Sequence, residues 1–224
     1  MKCISFLVML FFILGNIACS SNESIFNKVE AEAKVEKPKA KSLSLEDQEI
    51  IKKYNDKINS LDLRDRDLVE KVRRDSLSEI NKIKDDNARS KLQMEIYLSL
   101  AMYKEAYELN GKMLKKSFSA ARLMHQCELS YYAKRPQKEY EVCHAELASA
   151  FEKELLKKPK TDPEYIYGEW WYLLSMYKSG HKEYEIKLKE MLNSIEDEQL
   201  KFQFESSYEL AVEQVKSYDK PRDD

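Results

Sequence analysis

The stretch Tyr97-Leu98-Ser99-Leu100-Ala101-Met102-Tyr103-Lys104-Glu105-Ala106 decides how this chain is read, because its pattern returns 34 residues later. Tyr131 answers Tyr97 and Lys138-Glu139 answers Lys104-Glu105, each tyrosine standing seven residues ahead of its Lys-Glu pair. A third unit, Trp170-Trp171-Tyr172-Leu173-Leu174-Ser175-Met176-Tyr177, is followed by Lys182-Glu183. Recurrence at such an interval marks a supersecondary unit that packs on copies of itself, because one unit cannot bury its own apolar face. Apolar residues at helical spacing predict helix pairs over 87–116, 118–157 and 163–193, with a closing helix over 197–216. Asp162-Pro163-Glu164 reads as the start of the third pair, since proline and acids suit a helix's first turn, and Pro136 serves its own helix in the same way.

The interval equals the tetratricopeptide period. The third unit resembles that family's first-helix signature, with Trp170, Leu173 and Tyr177 at its Trp, Leu and Tyr positions, and Ala106 keeps the second-helix Ala. Leu174 stands in place of the small Gly, and an insertion around Lys157 to Asp162 separates the second and third units. The resemblance covers roughly 87–193. It implies an all-α solenoid of helical hairpins whose first helices line a concave surface, and on that surface it implies His125, Tyr132 and Trp171 as partner-binding candidates. Core packing is the competing reading for each, and a generic helical bundle is the competing fold.

Upstream, Leu45, Ile50, Ile51, Tyr54 and Ile58 repeat at helical spacing behind Ser44 to Asp47, a capping-box pattern with Asp in place of Glu. Leu68, Val72, Ile80 and Ile83 mark a second helix, so a helical hairpin is expected over 45–84. The helical domain is thus drawn over 45–218, with a polar tail at 219–224.

Residues 1–18 differ from the rest. Lys2 supplies a positive start, Ile4 to Leu14 is an almost unbroken apolar run of eleven, interrupted by Ser5, and Ala18 precedes Cys19. The run is shorter than the roughly 20 residues that span a bilayer, so it reads as an export signal. The junction resembles the bacterial lipobox, with Ala18 and Cys19 at its last two positions and Asn16 where Leu is usual. That resemblance implies lipidation of Cys19 and a membrane held through the lipid anchor. Ser20, in place of a retention Asp, further implies an outer-membrane address facing the periplasm. Residues 19–44 are polar, contain Pro38 and read as a flexible tether.

Cys3 leaves with the signal and Cys19 is taken by lipid, so Cys127 and Cys143 remain as a pair for an oxidising compartment. Each lies eight residues from Arg135, which sets them at equal height in an antiparallel hairpin and predicts a disulfide. Closing that loop stabilises by about 3 kcal/mol in the chain-entropy model. A zinc site using His125 and His144 as well is the weaker alternative, because side chains one or two positions apart on a helix diverge too far to converge on one ion.

Composition excludes much else. Only four glycines occur in 224 residues, none placed for a phosphate loop, and Lys plus Arg number 38 against 40 acids with the signs interleaved. A dinucleotide fold, a P-loop and a nucleic-acid partner are excluded on those grounds. The chain holds three histidines, no nucleophile elbow and no His-Glu-x-x-His run, so no enzyme, cofactor or metal is expected. The reading is a tethered scaffold that holds a protein or peptide partner in the cell envelope, serving envelope, pilus or secretion assembly. The alternative is an immunity, exclusion or inhibitor lipoprotein that neutralises an incoming toxin or enzyme.

Overall fold

The computed structural model describes residues 42–218, and among the described residues there are nine α-helices and no strand. They are α1 Leu45–Asn59, α2 Arg66–Ile80, α3 Asp86–Ser99, α4 Tyr103–Lys116, α5 Ala120–Tyr132, α6 Gln137–Leu155, α7 Tyr165–Lys178, α8 Tyr184–Ser194 and α9 Glu198–Tyr218. The signal at 1–18, Cys19, nearly all of the tether at 19–44 and the tail at 219–224 lie outside the described residues.

Helix starts follow from local chemistry. Ser44, Asp65, Asp85 and Ser119 each accept a backbone N–H three residues ahead, which satisfies a donor left orphaned by the first turn. The Asp47 carboxylate does more than a capping-box residue would. It accepts the backbone N–H of Lys84 at 2.8 Å and of Asp85 at 3.1 Å, tying the front of α1 to the turn that enters α3. Those bonds hold the Asp47 carboxyl below its usual pKa. Asp162 to Glu164 form a turn rather than the first helical residues, and α7 begins at Tyr165.

The turns inside the three pairs are alike. Ala101 and Lys134 take left-handed backbone, φ 53° and 54°, and Gly180 takes φ 98°. At each, the next residue's N–H reaches five positions back: Met102 to Tyr97, Arg135 to Ser130, His181 to Met176. The left-handed residue itself bonds three back, to Leu98, Tyr131 and Tyr177 respectively. This is the Schellman stop, repeated three times.

Three small cores lie along the chain. Tyr54, Ile80, Ile83, Leu92 and Ile96 join α1, α2 and α3. Leu123, Cys127 and Leu147 join α5 and α6. Trp170, Leu173, Tyr177, Leu188 and Leu192 join α7 and α8, with Phe204 and Ala211 of α9.

The closing helix does more than cap the last pair. At 21 residues it is about 31 Å long. The Phe204 ring stacks on Trp170 at 4.4 Å, and the Trp170 indole N–H donates to Ser207 Oγ at 2.9 Å. Its far end reaches the second pair, where Gln214 bonds Tyr140 and Tyr218 donates to the Arg135 carbonyl at 3.3 Å. A regular solenoid cap would stop at α7 and α8. The stripe Phe204, Ala211, Gln214, Tyr218 runs the length of α9, and it carries the packing back to α5 and α6.

Candidate partner-binding site

The α5–α6 hairpin is stapled. The Cys127 and Cys143 sulfurs are 2.05 Å apart and their Cα atoms 5.4 Å apart. With both sulfurs engaged on each other, the zinc alternative loses two of its four ligands.

Beside the staple lies a buried polar network. Lys178 of α7 pairs with Glu128 of α5, and its ammonium stands 5.6 Å from the centre of the Tyr140 ring. Gln214 of α9 donates to the other Glu128 oxygen at 3.1 Å and accepts the Tyr140 hydroxyl proton at 3.1 Å. Burial pulls the Lys178 pKa below its ordinary value, with Glu128 opposing the shift. His144 packs edge-on to Tyr140 at 4.5 Å, and neither ring nitrogen has a hydrogen-bond partner among the described residues. Burial, aided by the Lys178 charge, holds its pKa well below the usual value, so the imidazole is neutral at pH 7. This network fixes four helices, α5, α6, α7 and α9, against one another.

The residues expected in the groove do not form one group. His125 and Tyr132 share a face of α5, seven residues apart, with Glu128 between them. His125 is half-buried, and burial lowers its pKa. Tyr132 packs on Tyr103 at 5.1 Å and Tyr131 at 5.3 Å, and burial raises its pKa. Trp171 packs instead against the C-terminal core. A recess of about 330 Å³ lies between Tyr131 and α9, lined also by Val212 and Glu213.

A larger cleft, about 660 Å³, opens where the end of α6 meets α7 and α8. Glu152, Leu156, Tyr165, Glu169, Glu190 and Met191 are among the residues that line it. Gly168 lets α7 approach the end of α6 closely, because a Cβ there would stand 3.0 Å from Leu155, which lines the cleft. The Tyr172 and Tyr184 hydroxyls meet at 3.3 Å on one side, a bond that with burial pushes the Tyr172 pKa up to about 12. Sequence reasoning missed this cleft. Its residues come from three helices, each contributing the i, i+3, i+4 spacing of any helix face, so nothing local marks them as one site, and Glu152, Glu169 and Glu190 look like any other charges on a solvated helix face.

No protein-family model matches the chain, and no curated protein and no solved structure matches it.

Proposed function

We propose that the chain is a lipid-anchored, periplasm-facing lipoprotein whose helical domain acts as a protein-interaction scaffold in envelope, pilus or secretion assembly. The observation that carries this reading is the succession of helix pairs, each closed by the same left-handed turn and packed in chain order. Such an array presents a long side-chain surface on a rigid frame, which suits holding a partner rather than performing chemistry on a substrate. The cysteine-ended leader supports the anchor, and the mixed polar and apolar recesses support a peptide-like occupant.

A tagged chain recovered from detergent-solubilised membranes of the native host tests it. Envelope-assembly components co-eluting with the wild type, and lost with Tyr132→Ala, are the expected result. Trp171→Ala is a poor control, because that ring belongs to the C-terminal core. Recovery of one foreign effector instead would overturn the scaffold reading in favour of an inhibitor. Palmitate labelling that survives Cys19→Ser would remove the anchor.

A further inference from the structure

The cleft between α6, α7 and α8 has an uneven charge balance. Three carboxylates, Glu152, Glu169 and Glu190, face it together with one ammonium, Lys187, which leans over the Tyr184 ring at 4.6 Å. Some glutamates, Glu46, Glu79, Glu154 and Glu185 among them, pair with a lysine, and others stand on solvated faces without one among the described residues; Glu152, Glu169 and Glu190 differ in converging on one cleft. The three cleft glutamates have no ion pair among the described residues, although the helices around them are rich in lysine. Between them lie Tyr165 and Met191, and Leu156 stands at the lip, 82% exposed. An apolar floor ringed by unpaired acids is the complement of a cation carried on an apolar stem.

We propose that this cleft docks a cationic amphipathic segment of a partner protein, its lysine or arginine heads meeting Glu152, Glu169 and Glu190 and an apolar side chain seating against Tyr165, Leu156 and Met191. An acidic or lipid-phosphate surface is repelled by the three carboxylates. A purely apolar segment would strip water from them without providing a counter-charge. A basic segment satisfies both surfaces at once. The volume admits a few side chains and not a whole domain, so the recognised unit is a short helix or strand. The inference rests on the scaffold reading only in taking the occupant to be a protein.

The full chain in discs of zwitterionic lipid, with empty discs as the blank, is titrated with a labelled short helical peptide of leucine and lysine. The same peptide with glutamate for lysine is the second probe. The expected result is binding of the lysine peptide alone, weakened about tenfold or more by the triple change Glu152→Gln, Glu169→Gln, Glu190→Gln, and weakened likewise by added salt. The three side chains sit on the rim of the cleft, and an unchanged melting profile confirms that the variant folds. Equal binding by the triple variant, binding of the glutamate peptide, or self-association that depends on these glutamates without peptide binding would each overturn the proposal. Envelope partners recovered by pull-down without peptide binding remove this site and leave the scaffold standing. Peptide binding with a foreign effector as the sole recovered protein keeps the site and removes the scaffold.

Discussion

At His144 the fold buries an imidazole with both nitrogens unpartnered, and an orphaned polar group of that kind destabilises by about 1–3 kcal/mol. His144→Leu keeps comparable volume and removes the orphans. Its stability in urea should equal or exceed the wild type by up to about 1 kcal/mol, and a loss above about 2 kcal/mol would show that the ring has a partner. The sign of the pH effect follows from the depressed pKa. Above about pH 6.5 the imidazole is neutral folded and unfolded, and contributes no slope. As pH falls below that, the unfolded chain takes up a proton that the buried ring, facing the Lys178 cation, refuses. Stability therefore falls with acid, by up to about 1.4 kcal/mol per pH unit, and His144→Leu should flatten that descent. Lys178 is the complementary case. Its side chain is 4% exposed and pairs with Glu128, which is 24% exposed and also held by Gln214, so Lys178→Met removes the counter-charge of a partly buried carboxylate at about 1–3 kcal/mol. Adding Glu128→Gln should recover much of that loss, and a double variant as weak as the single one would show that packing, not charge, was removed.

Among the elements, the three like turns are what the helix pairs most plainly share, and they are nearly invisible in the residues that form them. A glycine at a left-handed helix stop announces itself, yet only Gly180 obeys, while Ala101 and Lys134 adopt the same backbone with a Cβ in place. A left-handed non-glycine residue costs about 1–2 kcal/mol, and a glycine loses part of that gain to unfolded-state entropy. Ala101→Gly and Lys134→Gly should therefore each stabilise by about 0.5–1 kcal/mol in thermal unfolding, and destabilisation by either would show that the Cβ makes contacts worth more than the strain. The helices themselves were legible because their apolar residues recur at helical spacing and five of the starts carry a capping Ser or Asp. The repeat blurs where residue size changes. Ala106 is buried in α4, but the residue 34 positions on is Tyr140, whose bulk opens the second pair toward α9.

For the molecule as a whole, the cysteine pairing followed from equal distance to one turn, whereas the groove did not follow from helix order. Trp171 is turned into the C-terminal core, and α9 lies where the second and third pairs would otherwise face solvent. Neither fact has a local signature, because both depend on residues about forty to ninety positions apart. Gln214 looks like a surface residue until it is placed on the stripe with Phe204, Ala211 and Tyr218. Removing residues from 198 onward should uncover Trp170, Tyr140 and the Glu128–Lys178 pair together. The expected outcome is a red-shifted tryptophan emission and loss of a cooperative melt, while a truncated chain that still melts sharply would show that α9 is dispensable.

The long reach of α9 also sets an order in time. A ribosome delivers the chain from its amino end at about 5–20 residues per second, so Glu128 and Lys178 are made before Gln214, the residue that completes their bonding. Until translation has passed α9, the second and third helix pairs lack their cover and remain substrates for chaperones and proteases. A chain cut short upstream of that helix would keep Trp170, Tyr140 and Glu128 without the partners that α9 supplies, however well its earlier hairpins have formed.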